Sequence, residues 1–279
     1  MLTQIVGKTR LALAPMQNHW WQVALYVTER GLTTSVMPYG DRALTIDFDF
    51  IDHAVQLRTS EGATHTIALR SRPVSEFYDE YLDALRALDV VVKLRAIPVE
   101  VEVAIPFATD TQHNTYDADA ANRWWRIMVQ ADRITKIFRG RFEGKASPVH
   151  FFWGSFDLAA TRFSGREAPV HPGGAPNCPD YVMREAYSRE CSSCGFWPGG
   201  GTQEAAFYAY AYPEPAGYSE YKVKPAAAYY DSAMREFLLP YDVLRNADSP
   251  DDMLLEFLQT TYEAAADCAA WDRGALERK

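Results

Sequence analysis

The chain lacks most of the features that assign a function at sight. It has no run of basic residues, and 28 Lys and Arg against 37 Asp and Glu leave a formal charge of −9. Nucleic acid and anionic membrane surfaces are therefore poor partners. No apolar stretch approaches the roughly 20 residues that a spanning helix needs. The opening MLTQIVGKTRLALAP has neither the apolar run nor the small-residue cleavage site of a secretory signal. These features together lead us to expect a cytoplasmic protein. Also missing are a nucleophile elbow, a zincin helix and a dinucleotide glycine fingerprint. Gly7-Lys8-Thr9 matches the end of a phosphate loop, but the glycine required five residues earlier, at the end of a strand, is absent. Half a motif carries no weight, and no pattern in the chain names a cofactor.

Aromatic residues are abundant: 14 Phe, 16 Tyr and 7 Trp in 279 residues, 48% of which are apolar. That suffices for one large or two modest domains with a full core. In the stretch SPVHFFWGSFDLAATRF, His150, Phe152, Gly154, Phe156 and Leu158 alternate with Phe151, Trp153, Ser155, Asp157 and Ala159. Both faces are largely apolar, which places this strand inside a sheet with protein against each side. A similar aromatic opening, HWWQVALYV, pairs His19 with His150 and Trp20 and Trp21 with Phe151 and Phe152. The elements that follow also correspond. A strand at Leu44 to Phe50 and a helix at Ser75 to Leu88 match a strand at Ala205 to Tyr212 and a helix from Asp251 to about Ala269. The expected fold is α+β, with internally duplicated antiparallel meander-plus-helix units forming one compact β core with flanking helices. The expected halves are residues 1–147 and 148–279.

The chain in order opens with a helix from Thr3 to Leu13, stopped by Pro15, and a strand from Trp20. In Leu44 to Phe50, Ile46, Phe48 and Phe50 share one face, and Asp47 and Asp49 share the other. Two carboxylates near His53 could hold a metal, but one wet sheet face gives the same alternation, and that is the preferred reading. Val90 to Leu94 reads as a further strand. A long helix capped by Asp117 or Asp119 runs to Arg139 and carries Trp124, Met128, Ala131, Ile134 and Phe138 along one side. Residues 164–204 form an insertion rich in Gly and Pro, with one helical piece at Pro179 to Tyr187. Its Tyr181, Tyr187, Phe196 and Trp197 argue for a structured lid over the central strand.

Cys191 and Cys194 have zinc or redox spacing, with Cys178 and His171 upstream. The ligand set is irregular, so the preferred reading is small buried residues and no metal. A constellation remains. His150, Asp157, His171 and Glu190 are candidate acid–base groups, and Arg162 a candidate holder of a carboxylate or phosphate. Trp153, Asn177, Glu185, Trp197, Tyr208 and Tyr210 are candidate ligand-binding residues, the two tyrosines because phenols in a row line a cavity with an apolar body and a polar rim. Each has a structural alternative: Asp157 accepting from a buried Trp or Tyr, His150 donating to a carbonyl, and Arg162 paired with Glu185 or Glu190.

The segments NHWWQVALYVTERGLTT, RGRFEGKASPVHFFWGSFDLAATRFSG, HPGGAPN, GFWPGG and FYAYAYPEP resemble, across essentially the whole chain, a bacterial family classed only as a domain of unknown function. The resemblance implies no reaction. It departs at the start, where family members tend to carry extra residues before the first helix, and at SRECSSCG, which there usually reads without cysteines. The function expected from the residues is binding of a small aromatic or amphiphilic molecule between the two halves, with acid–base turnover of it as an extension. The competing class is a non-catalytic interaction module with an aromatic docking surface.

Overall fold

Helix α1 (Leu2–Leu13) ends where the chain demands it: Ala14 turns extended, with φ −74° and ψ 134°, because the ring of Pro15 disfavours a helical residue before it. Unusually for a terminal helix, every residue from Thr3 to Arg10 is buried. The computed structural model describes residues 1–278 and divides into two units. The first comprises Met1–Val129, Phe151–Ser155 and Gly173–Val182; the second comprises Gln130–His150, Phe156–Pro172 and the chain from Met183 onward. The fold is α+β, with two antiparallel sheets of six strands each. No helix among the described residues is long and apolar enough to cross a membrane.

The first sheet contains β1 (Tyr26–Val27), β2 (Gly31–Thr33), β3 (Met37–Tyr39), β4 (Arg42–Asp49), β5 (Ala54–Thr59) and β6 (Thr64–Ala68), in the order β1-β2-β4-β5-β6 with β3 also on β4. Alternation along β4 sends Leu44, Ile46 and Phe48 into the core. Asp47 pairs with Arg58, and Asp49 with Arg30 at 2.5 Å, so this face is ion-paired. Helix α2 (Val74–Ala87) follows, burying Phe77, Tyr81 and Leu85 at helical spacing. The expected strand at Val90 to Leu94 has no ladder partner and is irregular. The aromatic run at His19 is likewise not a strand. Asn18–Val23 is a 3-10 turn in which His19 and Trp20 both take left-handed backbone (φ 59° and 61°), and pairing starts only at Leu25, which exchanges two backbone hydrogen bonds with Phe151. Ring contacts, His19 to Trp21 at 5.2 Å and Trp20 to Tyr181 at 5.8 Å, hold that turn and override the period-two pattern.

Helix α3 (Ala118–Gly140) is capped as expected: Asp117 Oδ1 accepts from the Ala120 amide at 2.8 Å. Within the first unit its Trp124 meets Phe50 and Phe151 edge-on.

The second sheet contains β7 (His150–Phe152), β8 (Asp157–Glu167), then, after helix α4 (Asp180–Ala186), β9 (Arg189–Trp197), β10 (Ala206–Tyr212), β11 (Tyr229–Asp231) and β12 (Glu236–Pro240), in the order β11-β12-β10-β9-β8-β7. The stretch expected to form the second part of a lid is therefore β9, hydrogen-bonded on both sides. Its Ser, Cys and Gly read as loop in isolation, but small side chains are what a strand beneath long tyrosines can carry. The short helix α5 (Tyr241–Arg245) leads to α6 (Pro250–Cys268), whose Leu254, Phe257, Leu258, Tyr262 and Ala265 form a buried stripe against β9 and β10. Helix α7 (Arg273–Leu276) closes the described chain. Each unit thus has a meander followed by a helix, the order that an internal duplication leaves.

Candidate functional site

Register builds the polar face of the second sheet. Tyr208, Tyr210 and Tyr212 lie opposite Gly195, Ser193 and Cys191 of β9, and Glu236 falls on the same face of β12. Gly195 is required there: a Cβ at that position would lie 1.9 Å from the Leu158 carbonyl oxygen and 2.6 Å from the Tyr208 hydroxyl. Over this gap the Tyr208 hydroxyl reaches β8 and donates to Asp157 Oδ2. Tyr210 and Tyr187 share a hydrogen bond of 2.7 Å, and Thr161 and Ser193 one of 3.0 Å. His171 stacks on Tyr187, with ring centres 4.7 Å apart, and lies 5.0 Å from Tyr212.

Burial, and after it the negative charges of Asp157 and Asp231, push the Glu236 carboxyl up to about 7. Burial likewise pushes the Tyr208 and Tyr210 phenols well above their usual value. The face thus holds a carboxylate accepting from a phenol, and a second carboxyl that carries a proton up to neutral pH. We expect Gly195→Ala to cost about 1–3 kcal/mol of stability, the usual range for an overpacked core. Urea unfolding would measure it, and a cost near zero would mean that Tyr208 does not need the gap.

The opposite face of the same sheet packs under α6. Arg162, only 3% exposed, has its guanidinium centre 3.5 Å from the Phe138 ring centre, 4.4 Å from Tyr262 and 4.9 Å from Phe142, and donates to the Phe138 carbonyl. Burial brings its pKa down to about 10. Three rings, rather than Glu185 or Glu190, meet this charge.

Where β9 begins and β10 ends, beside the C-terminus of α6, a cavity of about 230 Å³ opens. Ala211, Pro213, Pro215, Ala265, Ala269 and Trp271 give it apolar walls, and Arg166 and Glu190 a charged edge. Arg166 donates from Nε to Glu190 at 2.7 Å and from a terminal nitrogen to the Ala269 carbonyl at 2.6 Å; Glu190 also accepts from Ser164 at 2.9 Å. The indole of Trp271, 8% exposed, has a buried Nε1–H with no acceptor. A buried donor left without a partner costs roughly 1–3 kcal/mol.

The other expected residues are dispersed. Trp153 belongs to the first unit, 5% exposed, with its Nε1–H donating to the Val23 carbonyl at 2.7 Å. Its ring lies against Gly7, where a Cβ would come within 2.3 Å. The glycine of the incomplete phosphate motif is thus a seat for tryptophan. Asn177 donates to the Val101 carbonyl at 2.7 Å, also in the first unit. His150 is 1% exposed at the start of β7. The Glu185 carbonyl accepts from the Ser188 hydroxyl at the end of α4, and Trp197 ends β9 opposite Ala206. Cys191 and Cys194, three apart on one strand, point to opposite faces, and burial pushes both thiols up to about 12. Among the described residues, no three His, Cys, Asp or Glu side chains are grouped to hold a metal ion.

Sequence reading missed Glu236, Arg166 and Trp271, and it set Lys8 aside with the incomplete phosphate motif. Glu236 opens the short strand EFLLP, where an acid next to three apolar residues was a usable signal. Arg166 and Trp271 become neighbours of Glu190 only through tertiary structure.

A sheet of tyrosines over small residues, and a small cavity closed by an ion pair, describe a domain rich in aromatic clusters without naming a reaction. The chain belongs to the family of unknown function DUF5996, whose model matches residues 1–278. No curated protein and no solved structure matches it.

Proposed function

We propose that this chain binds a small amphiphilic molecule in the cavity between the β9–β10 ends and α6, its apolar body against Ala211, Ala265, Ala269, Trp271 and the prolines, its polar end at Arg166 and Glu190. One observation carries the reading: a cavity with apolar walls and the Arg166–Glu190 ion pair at its edge. At about 230 Å³ it is smaller than the roughly 300–1,000 Å³ of sites for drug-sized ligands, which favours a single ring or a short chain. Native mass spectrometry of the chain purified without unfolding tests this. A small organic molecule should be retained by the wild type and absent from Ala269→Phe, whose ring fills the cavity. Equal retention by both would remove the assignment. Acid–base turnover is a second reading, favoured by Glu236, whose carboxyl has a pKa of about 7 on the face where Tyr208 donates to Asp157.

A further inference from the structure

Helix α1 buries five polar side chains inside the first unit, Thr3, Gln4, Lys8, Thr9 and Arg10, and three of them find hydrogen-bond partners. Gln4 exchanges two hydrogen bonds with the backbone of Val99, at 2.9 and 2.8 Å; Thr9 bonds the Tyr81 hydroxyl at 2.6 Å; and Arg10 donates to the Thr34 carbonyl. Of the other two, Thr3 is neutral and Lys8, 3% exposed, is the cation. Among the described residues it makes no hydrogen bond and no ion pair. Its amine instead lies 5.5 Å from the centre of the Trp153 ring. Burial, and then the neighbouring Arg95 guanidinium, push this amine down to about 8, against the opposing influence of the Cys178 thiol. A buried lysine kept for structure needs a counter-charge, because removing an ammonium from water is costly. Lys8 has a ring and a second cation, the surroundings that make a lysine a nucleophile.

We propose that Lys8 captures a small carbonyl compound bearing a carboxylate, an oxo acid, as a Schiff base, with the exposed guanidinium of Arg95 holding the carboxylate. The nitrogen lone pair attacks the carbonyl carbon, the C=O π pair moves to oxygen, and the oxygen takes up a proton. Loss of the nitrogen proton and of water then gives the C=N bond. One amine and one carbonyl give one imine and one water, and nothing is oxidised or reduced. Lys8, Arg95 and Trp153 all belong to the first unit, so this site is independent of the cavity in the second.

The test uses the intact chain incubated with glyoxylate near pH 7, reduced with cyanoborohydride and mapped by mass spectrometry. A lysine lowered to about 8 holds on the order of 100-fold more free amine at that pH than an ordinary one. The expected result is an adduct on Lys8 at least ~10-fold above that on the exposed Lys93, Lys222 and Lys224, absent in Lys8→Arg. Arg95→Ala should reduce glyoxylate capture several-fold and leave reductive methylation of Lys8 by formaldehyde unchanged. Labelling of the exposed lysines ahead of Lys8 would overturn the proposal. Glyoxylate capture indifferent to Arg95→Ala would overturn the carboxylate assignment.

Discussion

Trp153→Ala is expected to lower the unfolding free energy by about 3–5 kcal/mol, the range for deleting a large buried aromatic. Three losses coincide. The cavity left behind cannot collapse onto Gly7, which has no side chain to move into it; the Val23 carbonyl loses its indole donor; and Lys8 loses the ring beneath its amine. Trp153→Phe restores part of the ring but not the hydrogen bond, so it should fall between the two. Equilibrium urea unfolding reads the effect. A Trp153→Ala protein within about 1 kcal/mol of wild type, a threshold set by typical surface substitutions, would mean that this indole is not the packing anchor of α1.

The second large effect depends on pH. The Glu236 carboxyl is raised from the ordinary 4.5 to about 7, so the folded chain holds a proton that the unfolded chain has already released across that interval. Stability is then fully present below about pH 4.5 and falls as pH rises through 7, because the folded state binds more protons. The full loss is on the order of 3 kcal/mol, at about 1.4 kcal/mol for each tenfold change in proton affinity. Glu236→Gln mimics the protonated acid at every pH. It should match wild type near pH 4 and exceed it by about that amount at pH 8. Parallel stability profiles for the two proteins between pH 4 and 8 would show that Glu236 is not raised, and the acid–base reading of the tyrosine face would lose its general acid.

How much of this was legible in sequence follows from the range of each interaction. Helices α2, α3 and α6 and strands β4 and β10 carry a local period, so Phe77, Tyr81 and Leu85, or Ile46 and Phe48, announce their faces within a few residues. β9 did not. Cys191 to Gly195 has no period to read, and its smallness makes sense only once Tyr208 crosses it from the neighbouring strand. The structural alternative for Asp157, accepting from a buried aromatic, is the contact it makes with Tyr208. Asp157, Tyr208 and Tyr210 come together through sheet register, whereas Glu190 turns instead to Arg166, and Trp153 and Asn177 serve the first unit. Lys8 sits in plain view inside an incomplete motif. Its interest comes from burial of α1, which the helical pattern of LTQIVGKTRLAL does not require.

The binding reading is tested most directly at the Trp271 indole. In a proton–nitrogen spectrum of the labelled protein, with the signal assigned through Trp271→Phe, titration with benzoate should move the indole N–H resonance saturably, as expected for a ring that lines the filled cavity. Benzyl alcohol should move it less, and Ala269→Phe should abolish the shift for both. A Trp271 signal that stays fixed at saturating benzoate in the wild-type protein, or moves equally with the cavity filled, would contradict the account.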